Sequence, residues 1–158
     1  MQLYVMRHGQ ASARAASDAE RALTEQGHLE AKLMAKWLND NNIVFDQVFV
    51  SPFERAQQTA STLMSAVSHS APIATIDIIT PSGDAREVHD YIDGVCQADK
   101  LENVLIISHM PLVSYLVDEL TFDTIAPLFA TAAIAEINYD KQKMKGDLTR
   151  HVAPYDLC

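Results

Sequence analysis

The sequence predicts an α/β protein, a three-layer α/β/α arrangement around a mostly parallel central sheet. Three observations predict it. Short, continuous apolar runs stand at Leu3–Met6, Gln47–Val50 and Asn103–Ile107, the pattern of strands buried on both faces. Segments whose apolar residues recur at helical spacing lie between them. Each run also leads into a polar segment carrying arginine or histidine, where open α/β sheets bind ligands beyond the carboxyl ends of their strands.

The first strand, Leu3-Tyr4-Val5-Met6, delivers Arg7, His8 and Gly9 into a loop. Gln10 to Leu23 is rich in Ala and Ser, has no steady period, and carries Arg14, Asp18, Glu20 and Arg21. A loop of that length in a compact chain is often functional. Thr24 is the expected N-cap of a helix running to Asp40, with Ala31, Leu33, Met34, Trp37 and Leu38 on its core face. Gln47–Val50 is the second strand. Ser51-Pro52-Phe53-Glu54 then reads as a capping box, with Ser at N-cap and Pro at N1, for a helix to about Val67. Arg55 falls in its first turn, where backbone N–H groups and the helix dipole favour anions.

Ile73 to Ile79 is expected to form the third strand, and Thr80–Asp84 the loop that opens a helix burying Val88, Tyr91, Ile92, Val95 and Cys96. Asn103–Ile107 is the fourth strand. It ends in Ser108-His109-Met110-Pro111, before a helix through Leu112, Val113, Leu116, Val117 and Leu120. Ala132–Tyr139, a polar turn at Lys141–Gly146 and Leu148–Val152 make a hairpin.

A chain of 158 residues is expected to form one domain, residues 1–158, with a sizeable core. The net charge of −9 argues against nonspecific nucleic-acid binding, which relies on basic surface. It leaves room for a small anion site, because a few arginines in a pocket set the local field. Cys96 and Cys158 give neither a metal-ligand spacing nor a disulfide framework. There is no basic and apolar leader at the N-terminus and no apolar run of membrane-spanning length. The expectation is a soluble, cytoplasmic, monomeric protein with neither a nucleic acid nor a membrane as partner.

Arg7 with His8, Arg55, and His109 thus stand at three strand-to-helix junctions, and a parallel sheet brings such junctions to one edge. Arginine presents a forked, permanent cation matched to phosphoryl oxygens. Histidine serves as nucleophile or proton carrier near neutral pH. Gly9 permits a sharp turn or a close backbone approach. Two guanidinium groups around imidazole suit phosphoryl transfer. A nucleotide P-loop motif is absent, and no His/Cys/Asp cluster has metal-ligand spacing, so no metal or other cofactor is implied. The remaining histidines, His28, His69, His89 and His151, are read as structural or exposed, and Ser51 as a cap rather than a nucleophile.

Arg7-His8-Gly9, Ser51-Pro52-Phe53-Glu54-Arg55-Ala56 with Thr59, and Ser108-His109 resemble the histidine phosphatase superfamily, whose fold is called phosphoglycerate mutase-like. The resemblance spans nearly the whole chain in order. The Leu23-Thr24 step, the Thr80-Pro81-x-Gly83-Asp84 loop and Ser108-His109-x-Pro111-Leu112-Val113 are similar to its small SixA-type phosphohistidine phosphatases. The resemblance implies in-line attack by His8 on phosphorus, a transient phospho-His8 and release of phosphate by water. It makes Arg7, Arg55 and His109 the holders of the phosphoryl oxygens. The implied substrate is a phosphohistidine protein, either a histidine phosphotransfer domain or a phosphocarrier of a phosphorelay. SixA-type sequences also carry an arginine near Arg21. That residue could contact phosphate, or pair with Asp18 or Glu20 as ordinary surface chemistry.

Two departures from larger members bear on the substrate. No Asn follows Gly9 within Gln10–Arg14, and Ile78-Ile79-Thr80-Pro81 lacks the carboxylate that protonates an alkoxide leaving group. An alcohol leaves poorly without a proton donor. Imidazole leaves more readily, since its conjugate acid has a pKa of about 6.5. The missing acid therefore favours a P–N substrate, unless Asp84, Glu87 or Glu20 folds into the site. The rival readings are a phosphomonoesterase acting on a small phosphorylated metabolite, and a phosphate-binding module without catalysis.

Overall fold

The computed structural model describes residues 1–158. Its centre is one six-stranded sheet in the order β3-β2-β4-β1-β5-β6. The strands are β1 (Gln2–Arg7), β2 (Gln47–Val50), β3 (Ile73–Thr75), β4 (Asn103–Ser108), β5 (Ile134–Asp140) and β6 (Lys145–Val152). β3, β2, β4 and β1 run parallel, whereas β5 pairs antiparallel with β1 and with β6. The sheet is therefore mixed, its parallel part ending at β1 and its far edge being the expected hairpin.

The continuous apolar runs resolve into two interleaved faces. Leu3 and Val5 of β1, with Val104 and Ile106 of β4, pack into one core. That core is covered by α3 (Ala85–Ala98) and α4 (Leu112–Leu120), through Val88, Ile92, Leu116 and Val117. Tyr4 and Met6, with Leu105 and Ile107, pack into the other. There α1 (Glu25–Asp40) and α2 (Glu54–Ala66) supply Met34, Leu38, Ala60 and Leu63. Alternation by two sends neighbouring side chains to opposite faces, so a strand covered on both sides must be apolar throughout. Trp37 is only half-buried, and the Arg150 guanidinium lies over its ring at 5.0 Å. Tyr91 remains exposed and packs edge-on against Phe49.

Thr24 caps α1 as expected, its side chain accepting from the Gly27 N–H. The capping box at Ser51 does not form. α2 begins at Glu54 with Phe53 at its N-cap and no side-chain cap. The Ser51 hydroxyl instead accepts from the Phe53 N–H at 3.2 Å and bonds to His109 across the sheet end. The third strand is also shorter than expected. β2 stops at Val50, which pairs with Thr75 and accepts from the Ile76 N–H, so the edge strand has no partner beyond that bond. The chain turns there through a 3-10 segment, Asp77–Ile79, which buries Ile79 in the core.

Gly9 serves close approach rather than a left-handed turn, since no glycine in the chain has a positive φ. A Cβ on Gly9 would lie 2.7 Å from the Gly27 carbonyl oxygen, inside van der Waals contact. The turn after β1 is thereby held against the first turn of α1.

Candidate active site

Arg7 is the last residue of β1 and Ser108 the last of β4, and the two are register partners in adjacent parallel strands. His8 and His109 therefore leave the sheet side by side. Their ring centroids are 5.1 Å apart with planes tilted by 54°. β2, the other neighbour of β4, leads into α2, whose second residue is Arg55. Topology alone thus gathers the four residues singled out in the sequence, and the Arg55 Nε–H donates to His8 Nε2 at 3.3 Å.

The His8 ring is fixed at its other nitrogen. Nδ1 lies 2.6 Å from the Gly9 carbonyl oxygen, which can only accept, so Nδ1 carries the proton. The neutral ring then keeps its lone pair on Nε2. Burial pushes the His8 pKa down to about 4, and the Arg55, Arg7 and Arg21 charges act in the same direction. At neutral pH His8 is an uncharged base whose Nε2 lone pair accepts the Arg55 N–H.

His109 is held similarly. Its Nε2 is 2.7 Å from Ser51 Oγ. In the tautomer where the hydroxyl donates to Nε2, the ring proton sits on Nδ1. Burial, reinforced by His8 and Arg55, pushes the His109 pKa down to about 3. Phe53 lies beside both groups, 5.2 Å from the His109 ring and 5.2 Å from the Arg55 guanidinium carbon.

Three buried side-chain nitrogens in the chain have no hydrogen-bond partner, and two of them belong to Arg7 (Nε) and His109 (Nδ1). Buried polar atoms are rarely left unpaired, and each of these two lies on a residue at the carboxyl end of a central strand. The Arg7 guanidinium is anchored through Nη1, which donates to the Phe129 carbonyl oxygen at 2.8 Å. Thr59 ties the walls together, accepting from the Gly9 N–H and donating to the Arg55 carbonyl oxygen.

Arg21 reaches the site through an intermediary. Its Nε donates to the Ser12 carbonyl oxygen, and its Nη1 to Asp18 Oδ1 at 3.1 Å. Asp18 Oδ2 accepts from Arg55 Nη2 at 3.1 Å, and the Asp18 carbonyl oxygen accepts from Arg55 Nη1 at 2.6 Å. The Arg21–Asp18 pair read as possible surface chemistry is therefore present, and it is also joined to Arg55. The hydrogen bonds from Arg21 and Arg55 hold the Asp18 carboxyl below its usual range.

Other candidates make no hydrogen bond to these residues. Asp84 caps α3 by accepting from the Arg86 N–H, and Glu20 accepts from Ser17. Glu87 and Arg14 are exposed. His28 bonds Thr62, His69 accepts from the Phe45 N–H, and His89 lies between Glu119 and Tyr139. His151 packs on the Phe129 ring. No three His, Cys, Asp or Glu side chains are grouped as a metal ion would require. Sequence reasoning missed Asp18, the Phe129 carbonyl and the brace from Ser51. Only Asp18 left a signal, a carboxylate three residues before a suspected phosphate ligand.

Over 157 residues, covering 99% of this chain and 96% of the relative, the sequence is 40% identical to phosphohistidine phosphatase SixA of Escherichia coli (strain K12). The chain belongs to the histidine phosphatase superfamily. The pattern of branch 1 of that superfamily matches residues 3–78, which hold Arg7, His8, Arg21 and Arg55. A SixA homolog of Haemophilus influenzae (strain ATCC 51907 / DSM 11121 / KW20 / Rd) is 35% identical over 150 residues, 90% of this chain and 91% of that one. The solved structure of the protein histidine phosphatase SixA complexed with tungstate superposes with a TM-score of 0.95 at 37% identity, covering all of both chains. As a histidine phosphatase, the chain is a hydrolase, and its mixed sheet with four helices has that superfamily's architecture.

Proposed function

We propose that this histidine phosphatase hydrolyses the P–N bond of phosphohistidine on a protein, through a covalent phospho-His8 intermediate. The observation that carries the reading is the 3.3 Å approach of Arg55 Nε to His8 Nε2, on a ring whose Nδ1–H is anchored to Gly9. That approach supports the reading, because it brings a guanidinium to the ring nitrogen that keeps its lone pair.

The arriving phosphoryl group takes over the Arg55 N–H from His8. Its oxygens also supply acceptors for the unpaired Arg7 Nε–H and His109 Nδ1–H. His8 Nε2 attacks in line while these donors hold the equatorial oxygens, and fixed donors need no reorganisation as charge redistributes. Once phosphorylated, the His8 ring is a cation, and the hydrogen bond from Nδ1 to the Gly9 carbonyl oxygen stabilises it. Water then attacks phosphorus and returns His8 to its neutral form. Arg21 acts from the rim as a further cation for the phosphoryl group.

The phosphohistidine assignment rests on the SixA relatives and on the site chemistry. None of Asp84, Glu20 and Glu87 hydrogen-bonds to the site's histidines or arginines, and two guanidinium groups keep Asp18 ionised, which disfavours protonation of an alkoxide. A protein substrate fits the surroundings. The segment whose Phe129 carbonyl steers Arg7 also exposes Ile125 and Leu128, at 88% and 83%. Exposed apolar side chains in a segment bonded to Arg7 suit contact with the surface of a histidine phosphotransfer domain or a phosphocarrier protein.

The test is single-turnover release of phosphate from a phosphohistidine protein, a phosphoserine peptide and a sugar phosphate, by wild type and His8→Ala. Wild type should cleave the P–N substrate fastest and carry an alkali-stable, acid-labile label on the chain. His8→Ala should lose the label and, on the order of 10⁴-fold, the rate. Fast cleavage of the sugar phosphate with slow P–N cleavage would reassign the enzyme to small metabolites.

A further inference from the structure

We infer that Asp18 is a specificity-determining residue: its carboxylate accepts the ring N–H of a protonated phosphohistidine while the phosphoryl group lies on Arg55 and His8, favouring P–N over P–O cleavage. The inference rests on the phosphohistidine reading above and says how the site selects that bond.

Position comes first. Asp18 is the one carboxylate hydrogen-bonded to the site arginines, touching both Arg55 and Arg21. Its side chain is nevertheless 56% exposed, so it is open to contact from outside the protein. Its negative charge is felt at His109 across the site. A carboxylate offers about four lone-pair positions. Arg21 and Arg55 occupy one on each oxygen, which leaves room for another donor.

Chemistry comes second. When His8 Nε2 bonds to phosphorus, the P–N bond breaks and its electron pair stays on the leaving nitrogen. If the other ring nitrogen of the substrate carries a proton, the departing group is neutral imidazole and the step needs no proton donor. What the step does need is the cationic form of the phosphorylated ring, and an anion at its N–H stabilises that form. The enzyme's own nucleophile is treated in the same way. The Nδ1–H of His8 meets the Gly9 carbonyl oxygen at 2.6 Å, an acceptor for the cation that forms when phosphorus arrives. Asp18 supplies the counterpart on the leaving side. An alkoxide in that place would need a proton, and a carboxylate bonded to two guanidinium groups has none to give.

The measurement is kcat/KM of wild type, Asp18→Asn and Asp18→Glu on N-phosphoimidazole and on p-nitrophenyl phosphate, with tungstate inhibition as a gauge of oxyanion binding. Asp18→Asn should lower the ratio of P–N to P–O cleavage by about tenfold to a hundredfold, the scale of one charge-assisted hydrogen bond. Asp18→Glu should recover part of the ratio. An equal change on both substrates, tracked by tungstate affinity, would overturn the inference and leave Asp18 as a clamp on Arg55. Failure of wild type to cleave N-phosphoimidazole and a phosphohistidine protein would overturn the parent reading itself, a result distinct from an unchanged ratio in an active enzyme.

Discussion

Arg55 and Arg21 grip the same carboxylate from different ground. The Arg55 side chain is 4% exposed and grows from the first turn of α2, clamped between the end of β2 and the core. The Arg21 side chain is 32% exposed and hangs in the loop before α1, held by one backbone oxygen and Asp18. One half of the site is therefore fixed by the sheet, with His8, His109 and Arg55 buried at strand and helix ends. The other half is fixed only by the loop's contacts with it. The difference predicts a division of labour. Charges in the buried half act through a low dielectric and supply transition-state stabilisation. Charges on the rim are screened and supply capture and selectivity.

The sharpest way to break that division is Arg55→Ala, expected to lower kcat by about 10² to 10³-fold, as for loss of a preorganised oxyanion donor. Arg55→Lys should recover little, because a lysine keeps the charge but cannot aim a fixed N–H at the phosphoryl group while holding Asp18. A loss confined to KM would mean that the buried half does no more than bind.

A second test reads the buried half through stability. His8 and His109 have pKa values pushed down to about 4 and about 3, mainly by burial. Between those values and about 6.5 the unfolded chain binds protons that the folded chain refuses. Stability is therefore undiminished above pH 6.5 and falls as pH drops through the window, by up to about 1.4 kcal/mol per pH unit for each ring. Urea denaturation at pH 7 and pH 5 should differ by roughly 4 kcal/mol, and His8→Ala should remove about half of the difference. Equal stability at the two values, or imidazole NMR titrations near 6.5, would show the site to be wet and its rings unbiased.

The same boundary separates what the sequence displayed from what it hid. Arg7, His8, Arg55 and His109 were legible because each sits next to a strand or at a helix start, and those elements are written locally as apolar runs and periodicity. Once β1 and β4 pair in register, convergence follows without further information. The misses all depend on partners distant in the chain. Asp18 meets Arg55 37 residues away, His109 meets Ser51 58 away, and Arg7 meets the Phe129 carbonyl 122 away. Ser51 misled for the same reason. Its spacing to Glu54 satisfies a local capping rule, but its hydroxyl serves a histidine from another strand. The length of the third strand was hidden too, because it is set by where β2 stops.

The smallest expected effect is the most discriminating for the rim. Arg21→Ala removes a cation that touches neither histidine directly and donates to Ser12 and Asp18. Exposed ion pairs are worth about 0 to 1 kcal/mol, so kcat should change by no more than about fivefold, with most of the loss in KM. That loss should shrink as salt is raised, since a Debye length of about 8 Å at physiological ionic strength already screens much of what a rim charge offers. Arg55→Ala, acting from a dry site, should keep its deficit at every salt concentration. Parallel salt dependence in the two variants would erase the distinction between the halves, because a guanidinium that screens like a surface charge is not working in a protein interior.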